Sequence, residues 1–91
     1  MQYEWDEQKR LGNVRKHRID FQDAVRIFEG DTLLMEHDRL DYGERRFVSL
    51  GLLQRRVIVV VHVEQTGVTR IISARKATKY EQRIYLEGIA D

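Results

Sequence analysis

The 91-residue chain contains no cysteine and no proline, and only six glycines. Without cysteine there is no disulfide, no thiolate nucleophile and no sulfur ligand for zinc. The histidines, His17, His37 and His62, include no i, i+4 pair, so neither a metal nor any other cofactor is expected. His37 with Asp38 and Asp41 lacks the spacing of a calcium loop and reads as a solvated turn. The scarce glycines form neither a phosphate-binding loop nor a G-x-S-x-G elbow, which argues against nucleotide-dependent and acyl-transfer enzymes. No apolar run is long enough to span a bilayer; the best, Val57 to Val63, is short and contains His62. The N-terminus has neither the basic start nor the apolar core of a signal peptide, so a cytoplasmic protein with no membrane partner is expected.

What is present describes one domain spanning residues 1–91. Hydrophobic residues make up 42% and charged residues 34%, enough for a core beneath a heavily charged surface. The net charge of +1 does not by itself indicate nucleic acid. Its distribution is more informative. Between Glu29 and Glu44 six acids stand against Arg39 alone, whereas both ends of the chain are basic. A fold that joined the two ends would make one face cationic.

Periodicity predicts an α+β domain. Asp6 is placed to cap a helix that ends near His17, with a thin apolar stripe of Leu11 and Val14 that leans on Trp5. Asp20 caps a second helix through Phe21, Ala24, Val25 and Phe28, with Gly30 expected as a left-handed stop. Tyr3 to Trp5 is too short to assign. Strands are expected at Leu33–Glu36, Arg46–Leu52, Val57–Val63 and Val68–Ala74, with Val57–Val63 central and covered on both sides. The expected architecture is a small antiparallel sheet of about four strands, two N-terminal helices and one C-terminal helix.

The stretch from Arg70 to Tyr85 concentrates the cations. Its first half alternates as a strand, and Thr78 followed by Glu81 is a capping box that opens the last helix. Ala77, Tyr80 and Ile84 fall on one stripe. Arg70, Arg75, Lys76, Lys79 and Arg83 face only Glu81 in opposition. Two readings stand on these residues alone. One is a cradle for phosphate, with Tyr80 and Tyr85 offering hydroxyls and stacking faces. The other is an edge strand and a solvated helix, with Tyr80 in the core and Arg70 bridged to Glu44 or Glu64. In a regular strand Arg70 and Arg75 would point to opposite faces.

Taken as an ordered set, these residues resemble the BrnT family of toxins from bacterial type II toxin–antitoxin systems. The resemblance runs from Trp5-Asp6, Lys9, Asn13 and Lys16-His17 through Phe21, Ala24, Phe28 and Asp38. It continues with Gly43-Glu44-Arg45-Arg46, Gly51 and Val59-Val60-Val61, and ends in Arg70-Ile71-Ile72-Ser73-Ala74-Arg75, Ala77, Glu81 and Tyr85. Arg18 departs from the glycine common after Lys-His, and His62-Val63 from a common Tyr-Thr.

The resemblance implies a RelE-like fold and a metal-independent endoribonuclease that cuts mRNA and arrests growth. It implies a BrnA-like ribbon-helix-helix antitoxin, promoter DNA bound only through that antitoxin, and room for a larger toxin–antitoxin assembly. Metal-free cleavage needs in-line 2′-hydroxyl attack, charge stabilisation at phosphate and two proton transfers. Arg70 and Arg75 suit the second task, with Arg46 as a third. His17, beside Lys16, suits proton transfer, and Glu81 or Tyr85 can orient or replace it. Lys76, Lys79, Tyr80 and Arg83 would hold RNA. The alternative is a non-catalytic RNA- or protein-binding module that works in complex with a DNA-binding antitoxin.

Overall fold

The computed structural model describes residues 2–35, 40–41 and 43–90. Strand β1 (Gln2–Glu4) is followed by helix α1 (Glu7–His17), the short helix α2 (Phe21–Ala24) and a 3₁₀ turn over Val25–Glu29. Strands β2 (Leu33–Met35), β3 (Leu40–Asp41), β4 (Glu44–Arg45), β5 (Phe47–Leu53), β6 (Arg56–Gln65) and β7 (Val68–Lys76) follow, and helix α3 (Lys79–Ala90) ends the fold. Five strands form one sheet in the order β1-β7-β6-β5-β2, and β3 and β4 form a separate ribbon.

The sheet is antiparallel except at one edge, where β1 runs parallel to β7 with Tyr3 opposite Thr69. That pairing adds a fifth strand to the four expected. The segment is too brief to show alternation and is defined only by a partner far along the chain. The β6 strand sits in the middle, and its Val59 and Val60 are fully buried on opposite faces, as the unbroken apolar run from Val57 requires.

One face packs Ile58, Val60, Ile71 and Ala74 against Ile19, Phe21, Ala24 and Ile27, with Trp5 and Phe28 at the margin. The other packs Leu50 and Val59 against Tyr85 of α3, with Leu33 and Ile84 alongside. Three layers result: the N-terminal helices, the sheet, and α3.

Helix α1 is fastened by polarity more than by its stripe, since Leu11 is 45% exposed and the buried residue is Asn13. Asn13 Nδ2 donates to the carbonyls of Ile19 and Ala74, each at 2.8 Å, and its Oδ1 accepts from the Ala74 N–H at 3.2 Å. Asp6 caps the helix start by accepting from the Lys9 N–H at 3.0 Å. The other end closes on Arg18 in the left-handed region (φ 61), whose N–H reaches the Val14 carbonyl. Arginine thus stands in a conformation that glycine adopts without cost.

The second helix is shorter than its periodicity predicts. Asp20 caps it through the Gln22 N–H at 2.9 Å, but after Ala24 the chain tightens into the 3₁₀ turn. The turn can lie on the sheet because Gly51 opposes it; a Cβ there would stand 2.6 Å from Ile27 Cβ. Gly30 does not stop the helix in a left-handed conformation, since its backbone is extended (φ −113, ψ −160). Part of the acidic loop around His37 and Asp38 lies outside the described residues.

Candidate nucleic-acid interface

The decisive local feature is a β-bulge. Val61 pairs with Ser73 and His62 with Ile71, so Ile72 has no partner across the ladder. The extra residue shifts the alternation of β7 by one. Ile71 and Ala74, three apart, therefore pack in the same core cluster under the N-terminal helices. Arg70 and Arg75 then share the opposite face, whereas a regular strand would separate them.

Beside β7, where the start of α1 meets the sheet, a groove of about 480 Å³ is lined by the cap residue Asp6 and Lys9 of α1, Glu44 from β4, Arg46, and Arg70, Ile71 and Ile72 from β7. Arg70 is ion-paired through Nη2 to Glu44 Oε1, and both side chains keep 31% of their surface exposed. The buried Nε of Arg70 makes no hydrogen bond. Three cations and two carboxylates thus meet at a groove open to solvent. Such a surface has the chemistry to bind a phosphodiester, by exchanging carboxylate partners for phosphate oxygens, with arginine able to bond bidentately.

Arg75 does not line this groove. Its Nη1 and Nη2 bond Glu81 Oε1 and Oε2 at 2.8 and 2.9 Å. Glu81 also accepts the Thr78 N–H at 2.9 Å, and its own N–H reaches Thr78 Oγ1 at 3.1 Å, completing the expected capping box. Arg75 holds the Glu81 carboxyl down to about 2, with the Thr78 bonds assisting. The same pair raises the Arg75 guanidinium. Glu81 is thus a fixed anion that orients Arg75.

The remaining sequence-predicted residues divide. Lys16 and His17 occupy the last turn of α1, where positive charge suits the helix dipole, and neither lines the Arg70 groove. About 12 Å of helix separates His17 from Lys9. Tyr85, expected as a catalytic or stacking residue, is only 1% exposed and donates its hydroxyl to the Asp31 carbonyl at 2.9 Å. It is a core buttress for α3, and burial raises its phenol. Tyr80, read either as a residue that holds RNA or as part of the core, is 70% exposed. Lys76, Lys79 and Arg83 are exposed around it.

The family model described as "Ribonuclease toxin, BrnT, of type II toxin-antitoxin system" matches residues 5–81. The chain belongs to the BrnT ribonuclease toxin family. It is a ribonuclease toxin of a type II toxin–antitoxin system, which implies an RNA substrate and an antitoxin partner. The fold agrees with a solved structure, the 1.1 Å crystal structure of the Brucella abortus ribonuclease toxin BrnT. The two share 24% identity at a TM-score of 0.70, over 87% of this chain and all of that one. No curated protein matches the sequence.

Within this BrnT chain, sequence reasoning assigned no site role to Asp6, Lys9 or Glu44. All three stand in the ordered set that carries the resemblance, and that was the available signal. A second polar cluster also went unread. His62, 4% exposed, lies between Ser49 Oγ at 2.8 Å and Glu64 Oε2 at 2.5 Å, and Thr69 Oγ1 donates to the other Glu64 oxygen at 2.8 Å. Burial pushes the His62 imidazole below its ordinary value, with Glu64 opposing. Its order suggests a hydrolytic triad, but Ser49 is buried in a strand paired on both sides by β2 and β6. The cluster is a hydrogen-bonded network along a groove of about 340 Å³, with Ser49 and His62 buried and the Glu64 side chain 40% exposed. Among the described residues no three His, Asp or Glu side chains converge as a metal site, and no helix is long and apolar enough to cross a membrane.

Proposed function

We propose that this toxin cleaves mRNA by a metal-independent route at the Arg70 groove and arrests growth by blocking translation. The observation that carries the reading is the convergence of Lys9, Arg46 and Arg70 with Glu44 in one solvent-open groove. A ribose 2′-hydroxyl attacks the adjacent phosphorus, and the 5′-oxygen leaves as it takes a proton from water in the open groove, giving a 2′,3′-cyclic phosphate and a 5′-hydroxyl end. Arg70 and Arg46 stabilise the charge that grows on the phosphoryl oxygens. Glu44, displaced from Arg70 by the incoming phosphate, is the carboxylate placed to accept the 2′-hydroxyl proton. Lys9 supplies a further cation.

Arg75, on the same face, steers the RNA toward the groove, with Lys76, Lys79, Tyr80 and Arg83 along its path. Lys16 and His17, at the far end of α1 from Lys9, take no part in this step. The partner is a BrnA-like ribbon-helix-helix antitoxin that carries promoter DNA.

The test is end-labelled RNA incubated with the toxin in excess EDTA, beside Arg70→Ala and Arg75→Ala. Cyclic-phosphate ends are expected. Arg70→Ala should slow cleavage by about 10²–10³-fold, the scale for removing one charge-stabilising donor. Unchanged cleavage by folded Arg70→Ala would remove the groove from the chemistry. RNA bound but uncut at high toxin concentration would favour the non-catalytic binding module.

A further inference from the structure

On the flank of α3 away from the Arg70 groove, Leu52 of β5 and Leu86 of α3 are 48% and 58% exposed, and they line the same groove. Its volume is about 330 Å³, and Val57, Ala77 and Gln82 complete the floor and wall. Ile89, 37% exposed, continues the stripe one turn beyond Leu86. Large apolar side chains gathered on one surface mark a site for another chain more than they mark a site for RNA, which is recognised through phosphate and base stacking. The groove has no aromatic ring for a base to stack on.

The rim is cationic. Arg55, Arg56 and Lys76 line the groove, and among the described residues no carboxylate does. The turn that presents two of them is unusual: Gln54 and Arg55 both lie in the left-handed region, with φ of 51 and 69. Each such non-glycine residue costs about 1 kcal/mol or more. Glycine or asparagine would relieve that cost, so the turn carries its cation against local preference.

We propose that this groove is the docking site for the antitoxin that a type II toxin implies. Its occupant is an amphipathic helical segment with apolar residues at i and i+3 or i+4, flanked by carboxylates. The apolar residues seat between Leu52 and Leu86, and the carboxylates meet Arg55, Arg56 and Lys76. Docking here also places antitoxin beside Lys76, Lys79 and Arg83, so a bound antitoxin obstructs the RNA path without filling the Arg70 groove. The inference rests on the toxin–antitoxin reading and goes beyond it by naming the surface.

The test uses full-length toxin with its cognate antitoxin, measuring affinity and inhibition of RNA cleavage. Leu86→Glu and Leu52→Glu change exposed side chains, and Arg55→Glu changes a turn, so a folded protein is expected from each. The expected result is a loss of antitoxin affinity on the order of thirty-fold for either leucine variant, the scale of an interface hot spot. Free Leu86→Glu should still cleave RNA but escape inhibition. Arg55→Glu should weaken binding less and flatten its salt dependence. Unchanged antitoxin affinity in both leucine variants overturns the groove while leaving the toxin reading intact. Weakened RNA binding with normal antitoxin binding assigns the groove to RNA and overturns it as well. No antitoxin binding by the unsubstituted toxin overturns both the groove and the partner reading.

Discussion

Arg75 grips Glu81 with both arms of its guanidinium, and the same carboxylate holds the first free N–H of α3 through Thr78. One side chain therefore joins the end of β7 to the start of the last helix. The Arg75 side chain and the Thr78 backbone share that anion between them.

The pair makes stability depend on pH in a defined direction. Glu81 is held at about 2 in the folded protein, well below its ordinary value of 4.5. Its stabilising effect is complete above about 4.5 and is lost as pH falls toward about 2. Urea unfolding at a series of pH values should show this slope, and Glu81→Gln should flatten it while lowering stability at pH 7. An identical slope in the variant would assign the acid sensitivity to other groups.

Asn13 should be among the least replaceable polar residues. Asn13→Ala strands the Ala74 N–H and leaves the Ile19 and Ala74 carbonyls short of a donor, all in a buried site. Each stranded group costs about 1–3 kcal/mol, so a total of several kcal/mol is expected from chemical denaturation. Asn13→Leu, similar in volume, should fare no better, because backbone partners remain whatever the replacement.

Gly51→Ala should destabilise by about 1–3 kcal/mol through overpacking. The clash is with Ile27 Cβ itself, not with the end of a flexible chain. Ile27→Val keeps that carbon, so the double variant should not recover the thermal midpoint. Recovery would mean that the 3₁₀ turn can slide over the sheet.

Glu44→Gln should raise affinity for a short RNA and steepen its salt dependence, because Arg70 loses the anion that now neutralises it. Cleavage by the same variant should fall if Glu44 accepts the 2′-hydroxyl proton. A joint rise in binding and turnover would leave Glu44 a brake on Arg70 and nothing more.

His62 gives a second pH response, nearer neutrality. Burial lowers its folded pKa below 6.5. The unfolded chain therefore takes up the proton first, and stability declines as pH drops through about 6.5. His62→Gln should remove that part of the decline in thermal melts from pH 8 to 5.

Much of the architecture was legible because local chemistry decided it. Asp6, Asp20 and the Thr78–Glu81 box mark helix starts through bonds made within four residues, and Val57 to Val63 announces a central strand. The face on which Arg70 lies was not legible. It depends on whether Ile72 is counted in the ladder, and that is set by the pairing of β7 with β6. Adjacent Ile71 and Ile72 break the strict alternation, but a fully covered strand gives the same pattern. Which of Tyr80 and Tyr85 is buried was not legible for a related reason. Both sit on α3, and only the position of Leu33 and Asp31 decides which side of the helix is inward. Asn13 looks like an ordinary polar helix residue until Ala74 arrives beside it.

The parallel edge formed by Gln2–Glu4 has a consequence for when the toxin comes into being. The last of its partner residues, Val68 to Arg70, is the arginine that lines the groove with Lys9 and Arg46. A ribosome making this chain must therefore add more than sixty residues before the first strand has anywhere to go. Until then Lys9 and Arg46 have no Arg70 to converge with, and local helices form ahead of the distant pairing. The groove beside Lys9 and Arg46 therefore cannot close until the chain has been made at least as far as Arg70.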